Sequence, residues 1–494
     1  MKSLKINALA SIIVRVLNII CPLITGPYIL RILAKENLAI FDSANSIASF
    51  FIPLATLGIY TYGMRSVSKV RNKKNERNEV FSELFYISIF STFFTALIYY
   101  IYIFNFIKYT SNIQFYIYII LGFQIISQFL YIEWVNEALE NYTFILYKTI
   151  FLRLFMITMI FSYIKKVDDI IPYTLIMVFS EILNLLISFV WIKKDIKLVK
   201  VNIKKTLKLL IPLFTMVLLS NINMLYTYLD KLFLTKSPVS TNISDYVVGF
   251  NIVMLIISVI SGAISVNIPR LSFYLGEKDY NSYNDLLNKG SRIFLFFTIP
   301  ISFGLMIIGT ETTLIYGGNK FLTAGIVTSI FAIRSIIWTL DNILGIQIIF
   351  IKGYEKSLTI FITIGGIINL ILNYVLYKLN LFLPQYFVIT TIIAETIVVI
   401  TYIIFITKNN IASLKTIFKY TFKYTLVASS FIIISIILNY IFPYEKIFSL
   451  KLIFMTFIKI IICSLTYILI LYLQKDVIID QVLSFIKTKI KKPL

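Results

Sequence analysis

Along this chain, apolar stretches of about twenty residues recur, and the polar positions inside them keep a register. The first stretch, NALASIIVRVLNIICPLITGPYILR (residues 7–31), places Asn7, Ser11, Arg15, Asn18, Pro22 and Thr25 at steps of three and four, so all six share one face of a helix. The other faces are apolar. The second stretch repeats the pattern with Asp42, Asn45, Ser49, Pro53, Thr56, Tyr60 and Gly63. Much further on, Ser220, Asn223, Thr227 and Asp230, with Lys231 adjacent, form a third stripe, and Asn251, Ser258, Ser261 and Ser265 form a fourth. About twenty apolar residues match a hydrocarbon core of about 30 Å. A polar face on such a helix either hydrogen-bonds to a neighbouring helix or lines a wet cavity.

Fourteen spans are expected, centred near residues 19, 50, 92, 122, 153, 181, 222, 256, 304, 336, 369, 395, 431 and 461. With the N-terminus placed in the cytoplasm, the cytoplasmic connections and tails carry 30 Lys and Arg against 9 in the opposite loops. That bias follows the positive-inside rule and predicts cytoplasmic N- and C-termini. The one cytoplasmic connection without Lys or Arg is 135–142.

The chain also repeats itself. Arg65 and Arg270 end spans two and eight, Pro172 and Pro384 open spans six and twelve, Glu181 and Glu395 sit mid-span, and Lys193 and Lys408 follow; the offsets are 205, 212, 214 and 215 residues. Six spans per copy is even, so the copies run parallel. The expected organisation is an all-α polytopic membrane protein with a six-helix lobe over 1–200, a second over 201–410, and two further spans with a basic tail over 411–494. The first two helices of each lobe carry the polar stripes, which favours a shared aqueous cavity over local packing.

Composition sharpens this picture. A 494-residue chain that is 59% hydrophobic, with mean hydropathy +0.87, has more apolar sequence than a soluble core uses. The net charge of +22 is spread over connections, which suits anionic lipid rather than nucleic acid. Histidine is absent, which removes imidazole bases and ligands, and Cys21 and Cys463 both fall inside spans as small buried side chains. Lys2 and Lys5 precede an apolar run that continues past twenty residues with no A-x-A site, so it reads as a retained first span. No connection exceeds about 25 residues and no P-loop motif occurs, so neither a soluble catalytic domain nor an ATP site is expected. The expectation is a non-enzyme without a cofactor.

Charges within spans carry the remaining information. Arg153 and Glu181 lie mid-span in helices five and six, and Arg334 and Glu395 in helices ten and twelve. Each such charge costs about 2.5–3.5 kcal/mol on insertion scales and needs a partner or water. An ion pair such as Arg153–Glu181 is one solution. Arg334 and Asp341, seven apart, share a face with Trp338 between them. Arg15 has no acidic neighbour in its own helix; contact with Asp42 or Asp230, or with a phosphate, is expected, since a guanidinium grips two oxygens and keeps its proton.

The segments LNIICPLITGPYILRIL, LATLGIYTYGMRSVSKVRN, YTYLDKLFL, NIPRLSFYLGEKD, NLILNYVLY and IIAETIVV together resemble the polysaccharide (Wzx-type) flippases of the multidrug/oligosaccharidyl-lipid/polysaccharide exporter superfamily over about residues 5–410. Ala34 and Lys35 depart from the family's usual glycine after Leu33. The resemblance implies a MATE-like fold of twelve core helices in two lobes with a cavity lined by helices one, two, seven and eight. It also implies the cargo, an oligosaccharide repeat unit on a polyisoprenyl diphosphate, moved to the outer leaflet of a bacterial plasma membrane. The expected substrate residues are Arg15, Asn18, Arg153, Lys231 and Arg334. Asp42, Glu181, Asp230 and Glu395 are the candidates for coupling to a proton or sodium gradient, and Arg65 and Arg270 for guiding the headgroup in at the cytoplasmic side. Polysaccharide polymerase and glycosyltransferases are the expected protein partners. A lipid II flippase and a small-molecule exporter of the same fold remain as alternatives.

Overall fold

The computed structural model describes residues 4–108, 111–220, 225–264, 267–443, 446–481 and 484; within these, the side chains of 4–9, 215, 218–220 and 261–264 are not described. Among the described residues the regular structure is helical, with no strand. Among the described residues thirteen helices are long and apolar enough to cross a membrane, and the chain is a multi-pass membrane protein. The expected seventh span, centred near 222, includes residues 221–224, which lie outside the described residues, as do the stripe position Asn223 and the side chains of Asn7, Ser220, Ser261 and Ser265.

Contacts divide the chain into two compact units, Met1–Ser244 and Asp245–Leu494. The first holds α1 (Leu4–Ile32), α2 (Lys35–Lys69), α3 (Lys74–Ile107), α4 (Asn112–Ala138), α5 (Tyr142–Tyr163) and α6 (Ile170–Ile192). Short α7 (Ile203–Lys208), α8 (Leu210–Ser220) and α9 (Thr227–Leu234) follow. Helix α1 packs along α5, α2 along α3 and α4, and α6 against α4 and α5.

Two of these helices are broken. In α2, Pro53 removes a donor, and Leu57 and Gly58 follow in the left-handed region (φ +46° and +64°). Ser91 Oγ of α3 donates to the Ala55 carbonyl at 2.6 Å, satisfying an acceptor beside that break. Gly58 is required by proximity as well as by φ: a Cβ there would lie 2.8 Å from Met216 Cβ and 2.9 Å from the Val217 nitrogen of α8. In α4 a 3₁₀ turn, Ser127–Leu130, precedes the last helical segment Glu133–Ala138. Around that segment Trp134, Phe81, Phe85, Ile59, Val67 and Leu213 form a buried apolar core, and Gly63 lets the Trp134 ring lie flat against α2.

The turn between α1 and α2 is fixed by the connection before α6. Tyr28 donates to the Ile164 carbonyl (2.7 Å), and the Ala34 nitrogen and Asn37 Nδ2 donate to that of Val167 (3.1 and 3.2 Å). In that connection the backbone N–H groups of Lys165 and Lys166 hold the Asp169 carboxyl below the usual carboxylate range.

The second unit takes in α10 (Asn242–Ile264), which starts at the boundary, and α11 (Asn267–Gly276), α12 (Tyr280–Ile307), α13 (Gly309–Gly317), α14 (Ala324–Phe350), α15 (Glu355–Lys378), α16 (Pro384–Lys408), α17 (Lys415–Ile441) and α18 (Leu450–Leu473). Helix α12 is its centre, packed against α14 and α17. Helix α14 widens into a nine-residue π-helix over Asn342–Phe350, and Tyr283 of α12 donates to the Gln347 carbonyl there (2.9 Å). The last two helices are anchored by buried polar contacts: Lys459 of α18 to Glu311 of α13 (2.7 Å), Tyr467 to the Phe296 carbonyl (3.1 Å), and Lys423 of α17 to Asp476 (2.5 Å). Both cysteines are buried and free.

Candidate functional site

The break in α4 places acidic residues where an apolar helix would have none. Within the first unit, α1, α4, α5 and α6 enclose a cavity of about 330 Å³ lined by Asn18, Glu133, Glu137, Lys148, Arg153, Glu181, Asn184 and Ser188. Lys148 of α5 is 6% exposed, and its ammonium donates to Glu133 Oε2 (2.9 Å) and Ser188 Oγ (2.7 Å). The Ser188 hydroxyl donates to the same Glu133 oxygen at 2.6 Å, closing a triangle of α4, α5 and α6. Glu133 stands in the first turn of its segment, where the helix dipole favours a carboxylate. Glu137, one turn on, accepts from the Tyr60 hydroxyl of α2 at 2.6 Å and lies within electrostatic reach of Arg15 and Lys148.

Arg153 and Glu181 both reach this cavity, yet they are not the expected ion pair. Arg153 Nη2 donates to Asn18 Oδ1 at 2.9 Å, while Glu181 has Asn184 one turn along its own helix and feels Arg153 and Lys148 only through space. Three carboxylates thus face two cations across the cavity, with Arg15 close by. Arg15 and Asn18 are exposed on α1, whereas Thr25, the buried end of the same stripe, turns back to the Cys21 carbonyl (2.9 Å). The α4–α5 turn at the cavity's edge is clamped by Arg71, whose guanidinium binds Glu140 (2.7 Å) and the Leu139 carbonyl (3.2 Å) and holds the Glu140 carboxyl below its usual range.

A second cluster in the same unit joins Asp42, Lys231, Asp230 and Ser244. The Ser244 hydroxyl donates to Asp42 Oδ2 at 2.6 Å, Asp230 is fully buried, and Lys231 lies in the field of both carboxylates with its ammonium 5.8 Å from the Tyr228 ring centroid. The second unit has a pair of its own. Arg334 of α14 grips Glu395 of α16 with Nε–Oε2 at 2.9 Å and Nη2–Oε1 at 2.7 Å, both residues buried. Asp341 lies near that pair. Arg65 and Arg270 are exposed, on α2 and α11. Among the described residues no group of three or more Cys, Asp or Glu side chains is placed to hold a metal ion.

The arrangement therefore brings together Asn18, Arg153 and Glu181, with Arg15 at their edge, and separately Asp42, Lys231 and Asp230. It ties Arg334 to Glu395. Glu133, Glu137, Lys148 and Ser188 are the functional candidates the sequence reading missed. Their signal was the connection 135–142, basic nowhere and flanked or occupied by Glu133, Glu137 and Glu140.

Comparison with known proteins agrees with this architecture. The chain resembles a structure of the lipid II flippase MurJ in an inward closed conformation, with a TM-score of 0.70 at 19% identity, covering 96% of this chain and 99% of that one. An inward-facing multidrug resistance MATE family transporter of the MOP superfamily aligns with a TM-score of 0.60 at 11% identity, over 80% of this chain and 98% of that one. A MOP superfamily transporter from Pyrococcus furiosus, described as having a binding pocket of reverse polarity, aligns at 0.54 and 12% identity over 83% and 95%. These likenesses identify the fold as MATE-like. No curated protein matches the sequence. A family model described as "Polysaccharide biosynthesis protein" matches residues 4–274, more than half of the chain, and the chain belongs to that family.

Proposed function

We propose that this protein is a flippase that moves a polyisoprenyl-diphosphate-linked oligosaccharide from the cytoplasmic to the outer leaflet of the bacterial plasma membrane by alternating access. The observation that carries the reading is Arg15, exposed on a membrane-spanning helix at the edge of a charged cavity. A permanently charged, two-pronged donor at that depth suits a diphosphate, whose charge hydrocarbon excludes without compensating cations. Family membership supports the sugar-linked cargo. Asn18 and Arg153, hydrogen-bonded to each other beside Arg15, extend the anionic site, and Lys231 supplies a further cation. Arg334 fits this role less well, because its fork is engaged by Glu395.

Glu181 is the coupling residue best supported by its surroundings. It borders the cavity with no ion pair of its own among the described residues, whereas Glu395 is held by Arg334, and Asp42 and Asp230 lie near Lys231. The second reading, a lipid II flippase, is favoured by the fold likeness to MurJ and differs in the sugar carried. Proteoliposomes loaded with each defined lipid-linked oligosaccharide test both. Arg15→Ala is expected to abolish flipping of the preferred cargo while the protein still inserts, and full activity in that variant would overturn the proposal. Transport by Glu181→Gln that still responds to an imposed proton or sodium gradient would remove Glu181 from coupling.

A further inference from the structure

A second, larger groove in the first unit takes no part in that mechanism. About 820 Å³ in volume, it runs between one face of α3, the α7–α8 stretch and the break in α2. Tyr86, Phe90, Phe94 and Ile98 follow one another at steps of four along its α3 wall, and Phe90 and Phe94 are 71% and 55% exposed. Ile203, Leu207 and Phe214 form the facing wall, and Leu54 and Leu57 the floor. At 1.5 Å per residue, the wall from Tyr86 to Ile98 is about 18 Å long. One leaflet of a hydrocarbon core of about 30 Å is about 15 Å deep. The groove therefore has the length of one acyl chain in one leaflet.

Its charged end is not neutralised. Lys200 lines the groove, and Lys200, Lys204 and Lys208 recur at steps of four, all exposed and, among the described residues, none within ion-pair distance of a carboxylate. The carboxylates nearby, Glu79 and Glu83, are both taken by Lys205, at 2.7 and 3.3 Å. On α7, Ile203 and Leu207 face the groove while Lys204 and Lys208 are their neighbours in sequence. An apolar slot one leaflet long, lined by Lys200 and bordered by a short helix that carries the exposed Lys204 and Lys208, is complementary to a phospholipid bearing a net negative headgroup.

We propose that this groove binds an anionic glycerophospholipid, one acyl chain lying along Phe90 and Phe94 and the headgroup phosphate among Lys200, Lys204 and Lys208. The bound chain would lie against Leu57 at the α2 break and brace that bend. The site is distinct from the cargo site proposed above.

The test uses the purified full chain in mixed vesicles, with Phe94→Trp as a reporter in the groove and the parent protein as the background. Quenching by phosphatidylglycerol with brominated acyl chains is compared with quenching by brominated phosphatidylcholine at the same mole fraction. Preference for the anionic lipid is expected at roughly tenfold in low salt, given the attraction of each lysine for an anionic lipid surface. It should fall to near parity in Lys200→Gln/Lys204→Gln/Lys208→Gln and persist in Lys193→Gln/Lys194→Gln/Lys197→Gln. Should Phe94→Trp fail to insert, Phe214→Trp reports from the opposite wall. Equal quenching by the two lipids, a preference that survives the triple substitution, or displacement by polyisoprenyl diphosphate at equal mole fraction would each overturn the proposal.

Discussion

Lys148 illustrates how a single side chain sets the character of the site. Its ammonium is buried beside the cavity with Glu133 and Ser188 as partners, so removing the charge strands a carboxylate rather than merely deleting a bond. Breaking one side of a buried pair costs about 3–5 kcal/mol, whereas replacing both partners is nearly neutral. Lys148→Met is therefore expected to lower the thermal unfolding midpoint of the detergent-purified protein markedly. Adding Glu133→Gln should restore most of the loss. If the double variant is no better than the single one, the pair is not the source of the stability. By the same logic Arg334→Leu should act first on stability, through Glu395.

At the scale of elements, the bend in α2 is the sharpest local demand on sequence. Gly58→Ala places a Cβ against the backbone of α8 and an L side chain at φ +64°, a conformation that costs about 1–2 kcal/mol by itself. The expected outcome is a lower midpoint in thermal unfolding and faster proteolysis near residues 57–58, while Gly276→Ala, where a Cβ meets open space, should be silent. The elements were largely legible in the sequence, because runs long enough to cross a membrane have few other uses; the polar stripe through Arg15 and Asn18 was legible from helical period alone. The pairings were not. Arg153 and Glu181 sit on adjacent helices, yet rotation about each axis aims Arg153 at Asn18 instead, and period along one helix carries no information about register across two. Glu133 and Glu137 were hidden because the 3₁₀ turn at Ser127–Leu130 breaks the apolar pattern early, making the segment after it look like a connection.

For the whole molecule, the orientation proposed from the basic connections can be tested directly. Cys21 and Cys463 are buried, so a background with both changed to Ala suits single-cysteine labelling. With the proposed cytoplasmic termini, a membrane-impermeant maleimide should label Ser237→Cys in intact cells and reach Lys194→Cys only after the cells are opened. The reverse pattern would invert the topology and with it the direction of transport. The internal repeat is visible at this scale in sequence, in the matched positions of Glu181 and Glu395, yet the two units use them differently. One is left facing a cavity; the other is closed in a bidentate pair.

The Glu133–Lys148 contact also bears on how the chain is made. The two residues flank a three-residue turn, Leu139 to Asn141, with Glu133 five residues before the end of α4 and Lys148 six after the start of α5. A hairpin of α4 and α5 can bring them together as soon as both helices have left the ribosome, before α6 contributes Ser188. Two groups that would each cost about 2.5–3.5 kcal/mol to insert alone can then enter the bilayer as a neutral unit. Separating them along the chain, by lengthening the turn, should slow or misdirect insertion during synthesis even where the finished protein would tolerate the change.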